Sequence, residues 1–143
     1  MIGDVDSLGI RWLLVEIETP RSGIYLSDKI SLDKFARKGT DQVIEWRHWI
    51  ANNIAYAHKP RRENGLGLYD INGQAEALVL VGRRASFPVG AKDSKRRALR
   101  ESDRLHLHTY DWLLQRLRGA VSHTGPPASN PFLFHKAVED YRR

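Results

Sequence analysis

The sequence predicts an α/β fold in which a small mixed β-sheet is flanked by helices. Two apolar runs have the length of strands, residues 12–18 and residues 77–82. Between them, residues 41–57 carry apolar side chains at helical spacing. A further short strand at residues 105–109 and two more helical segments continue the alternation. Strands that alternate with helices in this way are typical of a sheet covered by helices.

The first strand, residues 12–18, ends at Thr19 and Pro20, and we expect the stretch to Gly39 to form a loop. Thr40 is a suitable N-cap for the helix that follows, because its hydroxyl can accept a hydrogen bond from the first turn. Lys59-Pro60 is expected to end this helix after Ala57.

The second half of the chain contains the most apolar segment. Residues 77–82 are continuously apolar, which predicts a central strand buried on both faces. Ser94 is expected to begin a short basic helix that reaches Ser102. After the alternating strand at residues 105–109, a last helix is expected to begin at Thr109 or Asp111.

A chain of 143 residues is sufficient for one domain. We expect this domain to cover residues 1–121, with a linker and short tail over residues 122–143, where proline and glycine are frequent. The absence of cysteine excludes disulfides and thiolate metal sites. With no apolar run long enough to span a bilayer and no signal-peptide pattern at the N-terminus, a cytoplasmic protein without membrane contact is expected.

The chain is basic, with 23 lysines and arginines against 17 acidic residues and a formal net charge of +6. Such a balance is expected of a protein that contacts a polyanion, because basic groups that neutralise phosphates provide sequence-independent affinity. The alternative is a solvated helix face. The candidate nucleic-acid contacts are Arg83, Arg84, Lys95, Arg96, Arg97 and Arg100.

Two carboxylates in the first strand are the most informative residues. Because side chains alternate along a strand, Glu16 and Glu18 point to one face, and Leu13, Val15 and Ile17 are expected to pack on the other. Hard cations such as Mg²⁺ bind one or two protein carboxylates and leave other positions to water and phosphate. The alternative interpretation is that the two glutamates are solvent-facing charges that protect a sheet edge.

Four segments follow one another along the chain: residues 12–20, residues 42–50 with their glutamine and two tryptophans, residues 78–84, and residues 109–114. In this order they resemble the nuclease domain of the Shedu antiphage defence family, which belongs to the PD-(D/E)xK nuclease superfamily. The resemblance implies a restriction-endonuclease-like fold and a DNA endonuclease that uses Mg²⁺ or Mn²⁺. It also implies a homo-oligomer.

The resemblance assigns roles to individual positions. Glu16 would bind the metal through its carboxylate and Ile17 through its backbone carbonyl. Glu18 stands where the superfamily most often has lysine, so it would act as a base or a further ligand but could not supply positive charge. Gln42, near the start of the predicted helix, would hold the attacking water; the alternative is an ordinary polar residue of the first turn.

The superfamily also has an aspartate on a strand ahead of its signature strand. Only Asp4 and Asp6 precede Glu16, within a segment that resembles a hairpin turn, so the partner is one of these two or lies upstream of Met1 in an incomplete domain. These departures keep a second hypothesis open, a DNA-binding or assembly module that retains the nuclease fold without its chemistry. A basic α/β protein that binds only another protein is the third. His106 and His108 are interpreted as a surface pair.

Overall fold

The computed structural model describes residues 1–7, 9–28, 30–87 and 93–122. The predicted linker and tail lie outside these residues, except for Ser122, which ends the last helix. No helix in the described ranges is long and apolar enough to cross a membrane. The elements are β1 (Ile2–Asp6), β2 (Gly9–Ile17), α1 (Lys34–Asn52), α2 (Ile54–His58), β3 (Glu76–Leu80), α3 (Ser94–Asp103), β4 (Leu105–His108) and α4 (Tyr110–Ser122).

The four strands form one mixed sheet in the order β1-β2-β3-β4. β1 is antiparallel to β2, whereas β2, β3 and β4 are parallel to one another. The prediction of a small mixed sheet with helices is therefore confirmed. The prediction of a central buried strand is confirmed too, because Ala77, Leu78, Val79 and Leu80 of β3 are all buried.

The N-terminal segment is a strand, which corrects the prediction of a turn around Asp4 and Asp6. β1 pairs with β2 from Ile2 opposite Leu13 to Asp6 opposite Gly9. β2 accordingly begins at Gly9, three residues earlier than predicted. Gly9 has φ of +119°, which a side chain would strain, so the glycine permits the chain to reverse into β2. Pairing with β2 supplies the hydrogen bonds that the short segment could not make alone.

Helix α1 begins at Lys34, so the predictions of a loop up to Gly39 and an N-cap at Thr40 are wrong. Asp33 is the N-cap and accepts a hydrogen bond from the Phe35 N–H at 3.0 Å. The Thr40 hydroxyl instead donates to the Arg37 carbonyl inside the helix, 2.7 Å away. Aspartate and threonine are both good caps, and only the surrounding chain selects between them.

The predicted single helix over residues 41–57 is divided in two. Asn53 lies between α1 and α2, and its N–H donates to the Ile50 carbonyl at 3.1 Å. The Asn53 side chain also donates to the Trp49 carbonyl, 2.8 Å away. Asparagine competes in this way with the backbone for hydrogen bonds, which favours a break.

Helix α1 covers one face of the sheet. Its Val43 and Ile50 pack in the core with Leu14 of β2 and with alternate residues of β3. The expectation that Leu13, Val15 and Ile17 form the packed face of β2 is wrong, since Leu14 is fully buried whereas Ile17 is 63% exposed. The face that carries Leu14 also carries both glutamates, so the carboxylates lie on the covered side of the sheet.

Candidate carboxylate site

Glu16 and Glu18 converge beneath the first half of α1. Gly39 is where α1 comes close to β2 and β3. A Cβ atom at this position would lie 3.3 Å from Cγ of Glu18 and 3.6 Å from Cγ of Glu16. It would also lie 2.6 Å from Cγ1 of Val79, which is closer than carbon atoms can pack. A glycine is therefore required where the helix meets the two strands, and its absent side chain makes space above the carboxylates.

Lys38 supplies a positive charge to this site. Its Nζ lies 2.8 Å from Oε1 of Glu18, whose side chain is only 7% exposed. The hydrogen bond and charge of Glu18 raise the pKa of Lys38, so the ammonium is the stable form. Sequence reasoning missed Lys38 because it lies in the segment that was predicted to be a loop.

The environment favours protonation of Glu16. Burial is the main cause of the raised pKa of Glu16, the charge of Glu18 adds to it, and the charge of Lys38 opposes it. Two carboxylates on alternate positions thus repel each other in the protein alone. A cation placed between them would remove that cost.

Backbone contacts fix the end of β2. The Glu18 N–H donates to the Leu80 carbonyl at 2.8 Å, and the Tyr110 hydroxyl of α4 donates to the Glu18 carbonyl at 2.6 Å. Because backbone groups alternate in direction along a strand, the Ile17 carbonyl points away from β3. On that side β1 extends only to Ile2, opposite Leu13. The Ile17 carbonyl therefore faces the open edge of β2, and its role as a metal ligand stays a prediction.

Gln42 lies in the third turn of α1, which corrects the prediction that it belongs to the first turn. It is half-buried and follows Lys38 by four residues, so the two side chains share a helix face. Among the described residues, Gln42 makes no side-chain hydrogen bond. Its amide therefore remains available to a ligand on the face that carries Lys38.

The acidic residues of β1 do not belong to this site. Asp4 is opposite Arg11, with a loose ion pair of 3.9 Å, and Asp6 is opposite Gly9. Arg11 is five residues from Glu16, or about 17 Å along an extended strand. Within the part of the chain that the structure describes, no three histidine or acidic residues form a group that could hold a metal.

Arg83 and Arg84 are held against α4. The Arg83 guanidinium donates to both carboxylate oxygens of Asp111, at 2.9 and 2.8 Å. The Arg84 N–H donates to Asp111 at 2.7 Å, and its guanidinium donates to Gln115 at 2.8 Å. The bonds from the Arg83 guanidinium and from the Arg84 N–H hold the pKa of Asp111 well below its usual range. The two arginines are oriented, but part of their charge is neutralised by Asp111.

The remaining candidate contacts lie on α3. Lys95, Arg97 and Arg100 are exposed, whereas Arg96 is half-buried and bonded to Asp93 at 2.8 Å. They lie beside β4, at the opposite edge of the sheet from β1. The structure therefore brings together Glu16, Glu18 and Lys38, and it places the α3 arginines in a separate group.

No protein-family model matches this chain, and neither a curated protein nor a solved structure matches it.

Proposed function

We propose that this protein is a metal-dependent DNA endonuclease with a restriction-endonuclease-like fold, of the antiphage defence type that its sequence resembles. The observation that carries the proposal is the group formed by Glu16, Glu18 and Lys38 at the end of β2. Two carboxylates and an ammonium at one point combine the charges needed to hold a cation and to stabilise a phosphate in its transition state.

The oxygen donors suit a hard divalent cation such as Mg²⁺ or Mn²⁺. Glu16 and Glu18 would hold the ion through their carboxylates, and Ile17 would hold it through its carbonyl. Burial is the main cause of the raised pKa of Glu16. The smaller part that comes from the charge of Glu18 supports this fit, because a cation would offset it. An ion held there would polarise a phosphoryl oxygen and lower the pKa of the attacking water.

The protein groups around this point have separate tasks. Glu18, besides contacting the ion, would accept a proton from the attacking water. Lys38 supplies the positive charge that a lysine at position 18 would have provided, and it stabilises the charge that develops on the phosphate. Gln42, four residues further along α1, positions the water through its amide.

DNA would be held by the basic residues at the β4 side of the sheet. Their contacts to phosphates are independent of sequence and weaken as salt increases. Oligomerisation, which the resemblance implies, would place more than one such surface on a DNA molecule. The proposed contacts are Arg83, Arg84, Lys95, Arg96, Arg97 and Arg100.

The test is nicking of plasmid DNA in Mg²⁺ or Mn²⁺. Glu16→Gln and Glu18→Gln are expected to reduce cleavage by about a hundredfold or more, because each removes a charged oxygen ligand. Glu63→Gln is the matched control, since Glu63 is exposed on a short 3₁₀ turn after α2 and its loss removes the same charge. Cleavage that persists in both site variants contradicts the proposal.

The second candidate is a module with the same fold that binds DNA or assembles on it without cleaving it. Two observations favour it. Lys38 already neutralises Glu18, and in the described ranges no third acidic or histidine residue joins the pair. Binding of duplex DNA with no cleavage in either metal would support this candidate. Absence of binding even at low salt would favour a protein that binds only another protein.

A further inference from the structure

A second polar group lies between α3 and β4. His106 and His108 are alternate residues of β4, and their rings stack with centroids 6.3 Å apart. Arg96, Arg97 and Arg100 of α3 lie across from them and line the same cavity of about 130 Å³. The position of β4 is fixed, because Leu105 and Leu107 on its opposite face are buried in the core.

The histidines are held in fixed positions. The His108 ring stacks on the Trp112 indole of α4, with centroids 3.9 Å apart and planes 11° apart. Within the described residues, neither His106 nor His108 makes a hydrogen bond through its ring nitrogens. The cavity therefore presents two oriented imidazoles with available N–H groups.

The cavity is positively charged. Asp93 is the one acidic residue that lines it within the described part of the chain, and it is bonded to Arg96 at 2.8 Å and to the Tyr25 hydroxyl at 3.4 Å. Three arginines against one aspartate leave a net charge of +2 when the histidines are neutral. Burial, followed by the charge of Arg96, lowers the pKa of His108 to about 4. Only the contribution of Arg96 to this shift favours an anion, because burial disfavours every charged group.

The size of the cavity selects the kind of anion. Sites for complete small molecules occupy about 300–1,000 Å³, so this cavity has room for one ionic group but not for a base and sugar as well. The oxygens of a phosphate are arranged tetrahedrally, and even the two non-bridging oxygens of a diester are flanked by two ester oxygens. This arrangement matches three guanidinium groups and two imidazoles on different sides better than the two coplanar oxygens of a carboxylate do.

We propose that the cavity formed by Arg96, Arg97, Arg100, His106 and His108 is a binding site for a single phosphate group. The site is separate from Glu16 and Glu18 and does not depend on cleavage. The phosphate can belong to a nucleic-acid strand or to a small phosphorylated molecule. His108 is level with Ile17 across β3, two strand spacings or about 10 Å away, and its side chain lies on the opposite face of the sheet from Glu16 and Glu18.

The test records the imidazole NMR signals of His106 and His108 during titration with inorganic phosphate, and measures oligonucleotide binding by fluorescence anisotropy. Both ring signals are expected to shift with phosphate. Arg97→Gln and Arg100→Gln are each expected to weaken this binding about tenfold. Arg62→Gln is the control, because Arg62 is an exposed arginine outside the cavity.

The outcomes separate the two sources of phosphate. Weaker oligonucleotide binding by both α3 variants, but not by the control, identifies a nucleic-acid phosphate. Phosphate-induced shifts with unchanged oligonucleotide binding identify a small phosphorylated ligand. Absence of shifts with phosphate and with oligonucleotide in the folded wild-type protein overturns the proposal. Because cleavage is not the readout, failure of the nuclease proposal leaves this result unaffected.

Discussion

Nζ of Lys38 lies 2.8 Å from Oε1 of Glu18 and joins a mostly exposed ammonium to a buried carboxylate. The two residues are twenty positions apart, on a helix and at the end of a strand. Glu18 would otherwise be a buried charge without a partner, which proteins rarely tolerate. The pair therefore anchors the carboxylate and brings a positive charge beside both glutamates.

Lys38→Met is expected to lower both the melting temperature and the cleavage rate. The melting temperature falls because the buried carboxylate of Glu18 loses its partner. The cleavage rate falls about a hundredfold because the charge that develops on the phosphate loses a nearby cation. Lys38→Arg keeps the positive charge and should retain part of both properties. The measurements are thermal unfolding and single-turnover nicking. Wild-type values for both in Lys38→Met would refute the role assigned to this lysine.

Gly39→Ala is expected to destabilise the protein by about 1–3 kcal/mol, because the added Cβ overlaps Val79 and pushes α1 away from the sheet. Gly119→Ala is the matched control: among the described residues, no atom outside its own stretch of helix lies within 4 Å of its added Cβ, and alanine in a helix stabilises by up to about 1 kcal/mol. Urea unfolding measures both free energies. Equal effects of the two substitutions would show that the contact at Gly39 is not tight.

Arg47→Met is expected to lower the free energy of unfolding by about 2–4 kcal/mol. The buried Arg47 donates to the carbonyls of Ala75 at 2.6 and 3.0 Å and of Asp103 at 2.6 Å, and so joins α1 to the chain at the starts of β3 and β4. Methionine leaves these carbonyls unsatisfied. Arg47→Lys should recover little, because an ammonium cannot reach all of them. A loss below 0.5 kcal/mol, about that of a neutral surface change, would contradict this account.

Glu16→Gln is expected to stabilise the metal-free protein at neutral pH and to abolish the stabilisation by Mn²⁺. The pKa of Glu16 is raised in the folded state, so its charge costs stability above that pKa and nothing below the unfolded value of 4.5. Thermal unfolding with and without Mn²⁺ tests both points. In wild type, Mn²⁺ should raise the melting temperature, since a ligand that binds only the folded state stabilises it. Equal Mn²⁺ shifts in both proteins would rule out Glu16 as a ligand.

His108 should make stability depend on pH between about 6.5 and 4. Its folded pKa of about 4 lies below the ordinary 6.5, so the unfolded chain binds more protons in this interval. Stability therefore falls as pH decreases through the interval and is unaffected by His108 above it. The difference between wild type and His108→Gln in urea unfolding isolates this contribution. A difference that does not change with pH would show that His108 is not desolvated.

Much of the fold follows from local patterns in the sequence. The apolar run at β3 and the alternation at β4 each predict a strand because burial demands these patterns directly. The pairing of Glu16 with Glu18 on one face follows from the two-residue period of a strand. The segments with helical spacing likewise became helices, although their boundaries moved.

Contacts between distant segments decided the rest. β1 exists because β2 pairs with it, and the beginning of α1 is selected by the cap at Asp33. The same packing pairs Lys38 with Glu18 and Arg83 with Asp111. Neither ion pair can be recognised from the local sequence. Local periodicity determines which residues share a face. Which charge meets which depends on how the elements pack, and only the tertiary structure determines that.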